Sequence, residues 1–80
     1  MVTTITPHSI TESGPGTTPN NCIGVSFLNV GTADASVNGQ PLPQNASISF
    51  GGRSVEGILE PIAYNATGTE IRIDYETVDI

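Results

Sequence analysis

An all-β fold, a small antiparallel β-sandwich or barrel of about six short strands, is what this sequence predicts, and three observations predict it. Apolar and polar residues alternate at period two in several short stretches, the spacing of half-buried strands. Turn formers recur between those stretches, with nine glycines and six prolines spread along 80 residues. No segment carries apolar residues at helical spacing over three turns.

Residues 1–20 stand apart as an extended N-terminal arm, leaving 21–80 as the sandwich domain. The arm is rich in Thr, Ser, Pro and Gly, and its apolar residues are sparse: Val2, Ile5 and Ile10. Such a stretch holds no helix and has little to bury. Val2-Thr3-Thr4-Ile5-Thr6 nevertheless has β-branched content, so the arm can add to a sheet edge on a neighbouring subunit.

The first strand covers Cys22–Asn29, where Ile23, Val25 and Phe27 share one face. Asn29-Val30-Gly31-Thr32 follows as a turn. Asn38-Gly39 is a strong hairpin signal, because both residues accept positive φ cheaply, and it joins strands near Ala35–Val37 and Gln40–Leu42. Pro41 and Pro43 cannot donate to a ladder, so the second of these strands belongs at an edge. Ala46, Ile48 and Phe50 alternate with serines and mark another strand. Ile58–Tyr64 reads as an irregular strand broken or bulged at Pro61. Asn65–Thr69 is a turn in which Gly68 suits positive φ. In the last strand Ile71, Ile73 and Tyr75 face one way, and Glu70, Arg72, Asp74 and Glu76 the other. The expected core is completed by Val37, Leu42, Ile58 and Ile62.

Charge and composition exclude several functions. The net charge is −6, there is no lysine, and Arg53 and Arg72 are the only arginines. Two cations cannot displace the counterions that nucleic-acid binding requires, and an anionic membrane surface is excluded on the same ground. The start of the chain lacks the basic and continuous apolar stretches of a signal peptide, so synthesis in the cytoplasm without export is expected. Two sequons, Asn45-Ala46-Ser47 and Asn65-Ala66-Thr67, then read as turn chemistry. A domain this small usually needs a disulfide, a metal or a partner surface. Cys22 is the sole cysteine and no metal-ligand cluster is visible, which leaves association as the expected source of stability.

Catalytic constellations are weak. The one histidine, His8, sits on the arm, where no base would be held in place. Cys22 has no cation beside it in sequence and reads as a packed core residue. The carboxylates of the last strand alternate with apolar residues and read as its solvated face. Gly51-Gly52-Arg53-Ser54 lacks the lysine, spacing and helix of a phosphate loop. No cofactor is expected. With no tryptophan, a sugar-stacking platform would fall to Tyr64.

The order Val25-Ser26-Phe27-Leu28-Asn29-Val30-Gly31, then Val37-Asn38-Gly39-Gln40-Pro41-Leu42, then Ile48-Ser49-Phe50, then Tyr64 through Ile73, resembles that of small β-sandwich proteins of tailed-bacteriophage virions. These serve as capsid auxiliary (decoration) proteins or as parts of fibres and necks. The resemblance spans about two-thirds of the chain, omits the arm and carries no catalytic residues. It implies a non-enzymatic virion structural protein that self-associates, as a trimer for instance, or docks on other virion proteins. Candidate interaction residues are Val2, Ile5 and Ile10 on the arm, Arg53 in the 51–57 loop, and Tyr64. The alternative is a carbohydrate- or host-surface-binding module using Tyr64, Asn65 and the 65–69 turn.

Overall fold

A computed structural model describes residues 4–51 and 60–79. The fold is an all-β sandwich of two four-stranded antiparallel sheets, and no helix occurs among the described residues. The long sheet has the order β1 (Thr4–Glu12), β8 (Ile71–Asp79), β3 (Cys22–Asn29), β6 (Ser47–Gly51). The short sheet has the order β2 (Pro15–Thr17), β7 (Ala63–Asn65), β4 (Ala35–Val37), β5 (Gln40–Leu42). Its strands are three residues each, against nine in β1 and β8, so the molecule is elongated at 44 × 19 × 18 Å.

Period-two patterning places the core between the sheets. Phe27, Ile71 and Ile73 are fully buried from the long sheet, and Val37 from the short one. Leu42, Ala35, Ala66 and Ile62 close the short-sheet side, while Ile48, Phe50 and Tyr75 pack against the margin, half-buried. Phe27 sits at the aromatic centre, edge-on to Phe50 at 6.1 Å and tilted against Tyr64 at 5.9 Å.

The hairpin behaves as its sequence dictates. Asn38 and Gly39 hold φ of 52° and 78°, the paired positive values of a tight two-residue turn. Pro41 lies on β5, at the edge of its sheet, where a missing donor is tolerated. Asn65 Oδ1 accepts from the backbone N and the hydroxyl of Thr67, and Asn45 holds φ of 66°, so both sequons take part in turns.

Four expectations need correction. The N-terminal stretch is not a free arm: Thr4–Glu12 pairs along its whole length with β8 of the same chain, and Pro15–Thr17 pairs with β7. These two strands raise the number from about six to eight. A backbone ladder supplies hydrogen bonds without buried side chains, which is how a stretch poor in apolar residues becomes a strand. The third correction concerns Ile23, buried as expected but not aligned with Val25. A β-bulge between Cys22 and Gly24 breaks the alternation, so Cys22 joins Val25 and Phe27 in the core cluster. Finally, β7 starts after Pro61 and is only three residues long; the expected core residue Ile58 lies outside the described residues.

Asn29 ties the two sheets together at one end. Its side chain is fully buried at the end of β3. Its Nδ2 donates to the carbonyls of Ala33 (2.7 Å) and Leu42 (2.8 Å). Its Oδ1 accepts from Gly31 N (3.0 Å) and from the Thr69 hydroxyl (3.1 Å). Its backbone N donates to Ala46 O and its backbone O accepts from Asn45 N, both at 3.0 Å. Gly31 is required beside it: a Cβ there would collide with the Thr69 hydroxyl and stand 2.6 Å from the backbone N of Glu70.

Asn29→Ala strands the buried Leu42 carbonyl and Thr69 hydroxyl, each costing on the order of 1–3 kcal/mol, and removes two part-buried bonds, to Ala33 O and from Gly31 N. We expect a loss of about 3 kcal/mol or more in urea unfolding, a large part of the roughly 4–12 kcal/mol typical of a domain this size. An unfolding midpoint within error of the parent would refute the role assigned to Asn29.

Candidate functional site

The part of the long sheet that the short sheet does not reach is the candidate site. The short sheet reaches only part of the long one, and beyond it an open groove of about 530 Å³ crosses the long sheet. Its walls come from all four strands, at residues 7–9, 24–26, 49–51 and 74–76.

Register defines the two faces at this level. His8 opposes Tyr75, Tyr75 opposes Val25, and Val25 opposes Phe50, so these four form one row across the sheet. Ser9, Asp74, Ser26 and Ser49 form the adjacent row on the opposite face. The first row is aromatic at three of its four positions. The second is made of hydroxyls and one carboxylate, and Arg72 pairs with that carboxylate at 3.3 Å in an exposed ion pair. Exposed pairs of this kind contribute little to stability.

His8 is the main surprise. It is held on a strand rather than carried on a mobile arm. Its ring stacks on Tyr75, with centroids 4.8 Å apart and planes 15° from parallel. Its Nε2 lies 2.9 Å from the Thr77 hydroxyl. A histidine beside a hydroxyl has the distance of a base and its nucleophile. The remaining requirements are missing among the described residues. No hydrogen bond to His8 Nδ1 orients the ring, and the Thr77 residue is buried at 7% exposure. The pair fastens β1 to β8.

Of the other candidates, Ile5 and Ile10 lie on β1 with 37% and 36% exposure. Five residues apart on one strand, they point to opposite faces and cannot build a single apolar patch. Each instead opposes an apolar residue of β8, Ile5 against Val78 and Ile10 against Ile73. Val2 and Arg53 lie outside the described residues. Tyr64 is no free stacking platform. It is half-buried and packs on Phe27, and its ring lies so close to Gly16 that a Cβ there would meet its Cζ at 2.5 Å. Burial pushes the Tyr64 phenol above its ordinary value, and the negative charge of Glu12 adds to the shift.

Cys22 is fully buried, and its Sγ is 3.2 Å from the carbonyl of Gly24. Burial likewise pushes its thiol up, consistent with a packed residue rather than a nucleophile. No group of three or more His, Cys, Asp or Glu suited to a metal ion exists among the described residues. A second, smaller hollow of about 440 Å³ lies between the 30–32 and 68–70 turns, beside the exposed Val30. Comparison with protein-family models, with curated proteins and with solved structures finds no match to this chain.

Two outcomes are expected from this geometry. His8→Ala removes a ring stack and a hydrogen bond, so it should lower stability by about 1 kcal/mol. It should also speed hydrogen exchange in β1 while sparing β3; equal acceleration in both strands would refute the fastening role. Tyr64 holds its proton more tightly when folded than when unfolded. Its contribution is therefore complete below about pH 10 and lost as the pH rises through the raised folded value. Alkaline unfolding curves of the parent and of Tyr64→Phe should diverge only in that range.

Proposed function

We propose that the chain is a non-enzymatic virion structural protein, most simply a capsid auxiliary or decoration subunit that self-associates or docks on other proteins of a phage particle. The observation that carries this reading is the lopsided sandwich. The short sheet covers only part of the long one, and a side of that sheet is closed by β1, whose residues are nearly all exposed. Such a surface offers an open sheet face to a partner protein. The sequence resemblance to small β-sandwich virion modules supplies the kind of assembly.

The acid-rich composition is compatible with this role, since contacts to a protein surface need no cationic patch. Among the described residues, the polar side chains at the groove are hydroxyls, carboxylates and His8, and they do not combine a nucleophile, an oriented base and an oxyanion donor. A carbohydrate-binding role loses its stacking platform with the packing of Tyr64 against Phe27 and Gly16.

Light scattering on a sizing column, run at several concentrations, tests the reading. A mass at a fixed multiple of 8.3 kDa, such as a trimer, is the expected result. A chain that stays monomeric throughout and fails to co-sediment with any capsid bearing auxiliary-protein sites would overturn it.

A further inference from the structure

We propose that β1 is an exchangeable strand: in the assembled protein, Thr4–Glu12 of one copy pairs with β8 of a neighbouring copy, in the register it uses here within one chain. This deepens the reading given above, on which it rests, by naming the contact through which copies join.

Four observations lead to it. First, β1 puts no side chain into the core; Thr6 is half-buried and the other eight residues are exposed. Lifting β1 away leaves the packed residues of β3, β4, β5 and β8 in place. Second, among the described strands β1 pairs with β8 alone, so the strand contacts that hold β1 can be reproduced by an identical β8 on another copy. That set comprises the nine-residue ladder, the His8–Tyr75 stack and the His8–Thr77 contact.

Third, the connection is a hinge. Only Ser13 and Gly14 separate β1 from β2, and across them the chain passes from the long sheet to the short one. The β2 side is anchored: Ala66 N donates to Gly14 O at 2.8 Å, and Gly16 lies under the Tyr64 ring. Gly14 itself has φ of +93°, with no atom within 4 Å of where a Cβ would stand. A short connection that must turn sharply favours exchange between copies, because opening it relieves the turn while every strand contact is kept.

Fourth, charge and edge chemistry favour exchange over simple side-by-side docking. Glu12 is the only charged residue in β1, so handing the strand to a second acidic molecule brings few like charges together. The outer edge of β1 contains Pro7, which blunts it as a template for a further strand.

The experiment uses two full-length single variants, Ser9→Cys and Asp74→Cys, because Ser9 and Asp74 are directly opposed between β1 and β8. One chain carries a mass tag. The two are mixed while reduced, brought to the concentration at which the parent assembles, oxidised, and separated under denaturing, non-reducing conditions. Exchange places the cysteine of one chain beside that of the other, so tagged–untagged pairs should exceed like pairs at least tenfold. The variants Thr11→Cys and Arg72→Cys, at a second directly opposed position, should repeat the result. Agreement of at least one well-folded set with this excess supports the proposal. Assembly with only statistical linkage, or with no linkage, overturns exchange and leaves the assembly reading standing. A chain that never assembles overturns exchange and self-association together.

Discussion

The fold depends first on one buried side chain, that of Asn29. A polar residue in the core of so small a domain is costly unless every donor and acceptor is matched. Here all are matched, and the partners come from the 31–33 turn, from the end of β5, from the 45–46 segment ahead of β6, and from Thr69 ahead of β8. An apolar residue of similar size would fill the space and leave those carbonyls and donors orphaned. The amide therefore does what turn residues alone could not: it sets the distance between strands that belong to different sheets. Val30 and Gly31 complete the arrangement by donating together to the carbonyl of Glu70 at 3.0 and 3.1 Å.

From this anchored end the sandwich tapers. Close to Asn29 the two sheets face each other and bury Phe27, Ile71 and Val37. Towards the far end the short sheet has run out, and the long sheet continues through Tyr75 and Thr77 with His8 as its lateral support. Thr18 marks the border between these regimes. Its backbone N donates to Ile62 O at 3.0 Å and its hydroxyl accepts from Ile62 N at 2.8 Å, so the approach to β7 is held although it is not itself strand. Among the described residues the packing is thus graded along the long axis, and the surface proposed for docking lies where it is thinnest.

Much of this organisation is legible in the sequence. Period-two alternation locates β3, β6 and β8 to within a residue at their starts, and Asn38-Gly39 locates the hairpin of β4 and β5. The edge position of β5 followed from Pro41. What local pattern does not reveal shares one cause: it depends on backbone pairing with a distant segment. β1 has a proline at its middle and no buried side chain, so only β8 makes it a strand. The bulge at Ile23 is likewise invisible until β3 is laid against β8. At the candidate site, His8 looked unsupported because its supports, Tyr75 and Thr77, lie more than 60 residues away. Tyr64 looked available because its covering partners, Phe27 and Gly16, are distant in sequence too. Asn29 read as a turn residue; that it also bridges two sheets required Leu42 and Thr69 to be brought beside it.

The pairing of Thr4 with Asp79 has a kinetic consequence. Almost the whole chain must be in place before the outermost ladder can close, and closing so large a loop is entropically expensive until the remaining sheet is formed. On the exchange proposal β1 settles last, and a chain awaiting it presents a bare β8 edge. During that interval first-order closure within one molecule competes with second-order capture by another. The balance between the two is set by how many copies are being made in the same place at the same time. If copies exchange β1, expression level becomes a determinant of architecture, through a race that dilution slows on only one side.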